Sequence, residues 1–144
     1  MGKACSRGSP REYNEVVKFS RRKEDAATVV TVEGSILDLM SSSALKKALG
    51  GESAPGALLV DCSRVEYLDS VIIGVLVERF LAFRREGRRL VLFGLQDGVV
   101  DLLRTTSLLS VFDVTPDLGE ALALAARPVD PDAPVFGSGG EEVA

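Results

Sequence analysis

Two short apolar runs constrain this chain more than anything else in it: 57–62 (ALLVDC) and the LVLF centre of 88–94 (RRLVLFG). A strand with one wet face alternates apolar and polar residues. A run without alternation is buried on both faces, the habit of parallel strands covered by helices. Between the two runs, 70–85 places Ile72, Ile73, Leu76, Phe80 and Phe83 at spacings of three and four, and Gly87 follows. That spacing predicts a helix returning the chain across the sheet. A β-α-β unit therefore sits at the centre, and the fold class is α/β with mostly right-handed crossovers.

The flanking segments extend this unit. Residues 12–19 (EYNEVVKF) and 27–32 (ATVVTV) have strand character. The polar stretch 20–25 (SRRKED) reads as a solvated connection, which makes the pair a hairpin. In 35–51 (SILDLMSSSALKKALGG) the period changes. Ser41, Ser42 or Ser43 caps a short helix with Leu45, Ala48 and Leu49 on its apolar face, and Gly50-Gly51 ends it. The stretch 63–69 (SRVEYLD) is a turn, 97–106 (DGVVDLLRTT) a helix with Asp97 at its start, and 110–114 (SVFDV) a short strand. Pro116 opens a last helix carrying Leu118, Ala121, Leu122 and Ala125. The order is β-β-α-β-α-β-α-β-α, a mixed β-sheet with helices packed on it. The expected division is a flexible N-terminus at 1–11, one folded domain at 12–127, and a disordered acidic tail at 128–144.

Composition narrows the function. The chain has 144 residues and no histidine. That removes Ser-His-Asp and Cys-His nucleophilic pairs, an imidazole proton shuttle and a Cys/His zinc site. Two cysteines, Cys5 and Cys62, complete neither a disulfide framework nor a four-thiolate site. The carboxylates are scattered and no Gly-rich phosphate loop is present, so neither an enzyme nor a cofactor nor a metal is expected. Net charge is +3 over residues 1–25, −3 over 26–127 and −4 over 128–144. The domain offers no broad basic field, and direct nucleic-acid binding is not expected. The longest strongly apolar run, 71–77, is too short to span a bilayer. The N-terminus has no apolar signal region, which points to a cytoplasmic protein. Arg84, Arg85, Arg88 and Arg89 straddle a turn, as a solvated rim or as a contact for phosphate or lipid headgroups.

The stretch 67–76 (YLDSVIIGVL) carries the chemistry. Asp69 and Ser70 precede an apolar helix, which puts a hydroxyl at a helix N-terminus. Free N–H groups and the positive dipole end favour negative charge there. A phosphoryl group on Ser70, adding about −1.5 to −2 charges, would be tolerated at that end but unwelcome to an acidic partner. The same residues also read as a simple N-cap. Cys62, at the end of a buried strand without a histidine base, is a small apolar core residue rather than a nucleophile.

Residues 16–126 resemble the STAS domains, the sulphate-transporter and anti-sigma-factor-antagonist family. The likeness is carried by TVVTVEGSILD, LLVDCSRVEYLDSVIIGVLVERF and GRRLVLFGLQDGVVDLLRTTSLLSVFDV. Bacterial members follow a hydrophobic strand with Asp-Ser-Ser-Gly-Leu-Gly-Val-Leu, matched here at Asp69, Ser70, Gly74, Val75 and Leu76. Val71 and Ile72 stand where that pattern has Ser and Gly. The resemblance implies a partner switch: the protein binds an anti-sigma factor that is also a serine kinase and frees the sigma factor. Phosphorylation at Ser70 releases it, and a serine phosphatase resets it. It implies partner contacts at Asp38, Asp69, Ser70, Val71 and Gly74, with Asp38 in a Gly-x-Leu-Asp-like loop one residue longer than usual. The alternative is a non-switching STAS scaffold in a larger signalling assembly or beside a lipid transporter, with Ser70 only a cap. Neither reading fixes the oligomeric state.

Overall fold

The computed structural model describes residues 17–50 and 56–132. A hairpin of β1 (Lys18–Glu24) and β2 (Ala27–Glu33) comes first, followed by β3 (Ile36–Leu37), a 3-10 turn (Leu39–Ser41) and α1 (Ser42–Ala48). Then come β4 (Ala57–Asp61), β5 (Tyr67–Leu68), α2 (Ser70–Arg85) and β6 (Leu90–Phe93). The chain continues through α3 (Asp97–Thr105), β7 (Asp113–Thr115) and α4 (Leu118–Ala125). Five strands form one sheet in the order β1-β2-β4-β6-β7. β1 is antiparallel to β2, and all the other neighbours are parallel.

The unalternating runs behave as their sequence predicts. Leu58, Val60, Leu90 and Leu92 point to one face, into a core with Leu45 and Leu49 from the α1 region, Ile72, Leu76, Phe80 and Phe83 of α2, and Val99 and Leu103 of α3. Val29, Leu59, Val91 and Phe93 point to the other, where Ala121 of α4 covers them, flanked by Leu118 and Leu122. Phe80 meets Phe112 edge-on, with ring centroids 5.6 Å apart. The predicted mixed sheet with helices packed on it is the observed architecture.

Several local expectations shift. The polar stretch 20–25 is not a connection: its first five residues, Ser20 to Glu24, belong to β1, and Asp25, with φ +55°, makes the turn. Lys and Arg on an edge strand pair on one side and face water elsewhere, so an apolar pattern is not required of them. Of the strand expected at 12–19, Lys18 and Phe19 belong to β1, Val17 precedes it, and residues 12–16 lie outside the described residues, as do the N-terminus 1–11 and residues 133–144 of the expected tail. Two strands absent from the predicted order, β3 and β5, pair in parallel as a separate two-stranded sheet, Ile36 with Tyr67 and Leu37 with Leu68. Two residues are too few to show a period. Pro116 does not open α4, because Asp117 takes the cap and accepts the Glu120 N–H at 2.9 Å. The last strand falls at 113–115 rather than 110–114.

The arginine cluster also divides. Arg88 stacks over the Phe83 ring, 4.3 Å from its centroid, and its Nε donates to the Gly56 carbonyl. Arg89 pairs with Asp113 at 3.0 Å and donates to the carbonyls of Arg127 and Pro128. Both guanidiniums serve the chain's own packing.

Candidate functional site: an apolar rim around Ser70

The segments 34–41 and 62–69 leave the C-terminal ends of neighbouring parallel strands, β2 and β4. Both lead directly toward a helix, and at this end of the sheet they meet. The β3–β5 pair holds them side by side, reinforced by Glu66 N–H donating to the Ser35 carbonyl and Asp69 N–H donating to the Leu37 carbonyl.

Asp69 is extended, with φ −93° and ψ 176°, and caps α2 by accepting the Ile72 N–H on Oδ1 at 2.9 Å. Its Oδ2 accepts the Leu39 N–H, also at 2.9 Å, from a segment thirty residues earlier. Asp38, on that earlier segment, acts in the same way: it caps the 3-10 turn by accepting the Met40 N–H at 3.0 Å. Ser70, the first residue of α2, is exposed, and no hydrogen bond among the described residues engages its hydroxyl. The capping duty belongs to Asp69. α1 starts differently from expectation: Ser41 makes no side-chain cap bond, and the Ser42 hydroxyl donates back to the Leu39 carbonyl.

The exposed apolar side chains collect on the segments that meet at the start of α2, where Ser70 lies. Among the described residues the exposed large hydrophobics are Ile36, Leu39, Met40, Tyr67 and Val71, and Met40 is 87% exposed. All five lie on the two joined segments or on the first turn of α2. Gly74, one turn beyond Ser70, is exposed, and a Cβ built there meets nothing within 4 Å. Ile72 and Val71 divide the two departures from the family pattern: Ile72 is fully buried in the core, while Val71 adds apolar surface to the rim. The structure thus brings Asp38, Asp69, Ser70, Val71 and Gly74 to one end of the sheet. Leu39, Met40, Ile36 and Tyr67 were missed, because apolar residues in a segment without period carry no sign of exposure. Their one signal is that SILDLM and EYLD place Ile, Leu, Met and Tyr in connections.

Cys62 lies under this end, buried, its thiol pushed up to about 12 by burial and then by the neighbouring Asp61 carboxylate. A thiol held that high is not a nucleophile near neutrality. Among the described residues no cluster of His, Cys, Asp or Glu is placed to hold a metal, and no helix is long and apolar enough to cross a membrane.

A family model of the STAS domain matches residues 18–121. The chain belongs to the STAS domain family. An anti-sigma-B factor antagonist of Listeria monocytogenes is 36% identical over 63 residues, which is 44% of this chain and 55% of that protein. A Listeria innocua relative of the same name matches to the same extent. The match thus spans about half the length of these curated relatives. An anti-sigma factor antagonist from Mycobacterium paratuberculosis has a similar solved structure, with TM-score 0.66 and 24% identity, covering 78% of this chain and 96% of that one. A sulfate transporter family protein of Wolinella succinogenes is similar at TM-score 0.61 and 21% identity, over 80% and 92% of the two chains. Likenesses at that identity establish the STAS fold.

Proposed function

We propose that this STAS domain is an antagonist of an anti-sigma factor, that it docks through the apolar rim around Ser70, and that phosphorylation of Ser70 ends the docking. One observation carries the reading: every exposed large hydrophobic among the described residues lies on the two segments joined at the start of α2 or on its first turn, where Ser70 is exposed. The partner is a protein with a complementary apolar surface, an anti-sigma factor that is also a serine kinase. It transfers the γ-phosphoryl group of ATP to the Ser70 hydroxyl, and a serine phosphatase removes it.

The physics of the switch follows from the surroundings. At the start of α2 a phosphate meets a favourable dipole end, so the free protein tolerates it. Inside a closed apolar interface the same dianion is desolvated without a countercharge, which costs several kcal/mol. The carboxylates of Asp38 and Asp69 are already engaged with the chain's own N–H groups. Their role in docking is to shape the rim. Val71 supplies contact area, and Gly74 leaves room for a partner backbone to approach. In the scaffold reading Ser70 is only a cap, and that duty lies with Asp69.

Titration of the parent chain, Ser70→Asp, Ser70→Ala and Met40→Ser against the anti-sigma factor kinase of the same genome tests this. Ser70→Asp should bind at least tenfold more weakly, about 1.4 kcal/mol, and Ser70→Ala should match the parent. Met40→Ser should also weaken binding, because it removes the most exposed apolar side chain of the rim. Equal affinities for all four would leave the scaffold reading standing in place of the switch.

A further inference from the structure

The docking rim is built from two segments thirty residues apart in sequence, and the joint between them is unusual. β3 and β5 pair over only two residues each. Beyond them the ladder continues by one backbone rung, the Asp69 N–H donating to the Leu37 carbonyl at 3.1 Å. In a parallel ladder the following rung runs from the Leu39 N–H to the Asp69 carbonyl. That carbonyl has turned into α2, where it accepts the Ile73 N–H at 3.1 Å. The Leu39 N–H is instead taken by Asp69 Oδ2 at 2.9 Å.

We infer that the Asp69 side chain stands in for its own backbone as the last rung, and that Asp69 is thereby the positioning residue for the Leu39–Met40 tip. One carboxylate does two things: Oδ1 starts α2 and Oδ2 holds the tip against that start. A cap residue that only started the helix could be Ser, Thr or Asn. Here the Ile72 and Leu39 N–H groups are taken by separate oxygens, and among short side chains only aspartate offers two. The tip carries Leu39 and Met40, 61% and 87% exposed, with no burial of their own to fix them. Asp38 orders the turn internally through Met40; Asp69 fixes where the turn sits relative to Ser70. The consequence for binding rests on the docking reading above, whereas the joint itself does not.

Amide hydrogen exchange of the full chain, read residue by residue by NMR, tests the joint without a partner. Asp69→Ser keeps a capping oxygen for Ile72 and cannot reach Leu39. The Leu39 amide should exchange at least tenfold faster than in the parent, while the Ile72 and Ile73 amides stay within about twofold. Asp69→Asn, which keeps the shape but offers one oxygen, should show the same split. Unchanged Leu39 exchange in both variants overturns the proposal. So does a rise in Leu39 that merely follows an equal rise at Ile72 and Ile73, since Asp69 would then act only as a helix cap. The Met40→Ser titration separately decides the docking reading, so each can fail alone.

Discussion

The two ends of α2 lie in the same protein but obey different rules. At the C-terminal end, Gly87 with φ +74° turns the chain, and Arg88 lies over Phe83 while donating to Gly56. Arg89 beside it ties β6 to Asp113 and to the backbone after α4. Polar groups there cover apolar ones, as expected where stability alone is selected. At the N-terminal end the polar groups, Asp38 and Asp69, turn inward to the backbone, and the apolar side chains face water. Exposed apolar area adds nothing to the stability of a free chain, and a contiguous patch of it marks a contact surface. Substitutions should therefore separate the ends: those of the packed side chains at the C-terminal end change stability and spare binding, and those of the exposed apolar side chains at the N-terminal end do the reverse.

The largest expected effect is at the C-terminal end. Phe83 is 2% exposed and also supports the Arg88 guanidinium. Phe83→Ala should lower unfolding free energy by about 3–5 kcal/mol. Denaturant titration reads this directly. Under conditions where the variant remains folded, its affinity for the proposed anti-sigma factor partner should equal the parent's, and a large loss of affinity would erase the distinction between the ends.

Gly74→Ala gives a smaller effect with opposite signs in two measurements. A helix-interior glycine costs about 1 kcal/mol relative to alanine, and the added Cβ meets nothing within 4 Å. Alanine should raise the melting temperature by about 4 °C. If a partner backbone approaches this turn, the same methyl should weaken binding severalfold. A variant both more stable and equally well bound would remove Gly74 from the rim.

What was legible in the sequence divides along the same line. β4, β6 and α2 could be read because burial on both faces, or on one helical stripe, writes a pattern into consecutive residues. Of the edge strand β1, its presence and its hairpin with β2 could be read but not its extent, because charged residues on an edge look like a loop. β3 and β5 could not, because their pairing is a tertiary event two residues long. At the site, Asp69 and Ser70 stood out as a helix start and through the resemblance to the STAS family. The exposure of Leu39 and Met40 was invisible, since it depends on where the turn sits against α2. So was the second hydrogen bond of Asp69, which reaches across thirty residues.

The smallest expected effect is the most discriminating. Were Ser70 the helix cap, Ser70→Ala would cost about 1 kcal/mol. The cap is Asp69, whose Oδ1 accepts the Ile72 N–H, and Ser70 is already inside the first turn with its hydroxyl exposed. Alanine is the better helix former at such a position. Ser70→Ala should therefore unfold within about 0.5 kcal/mol of the parent by denaturant titration. Asp69→Ala, which removes the cap, should lose about 1 kcal/mol or more beside it. A clear loss of stability in Ser70→Ala would return the serine to a structural role. A neutral result means that the chain carries an exposed hydroxyl, at the end where its exposed apolar side chains collect, that its own fold does not need.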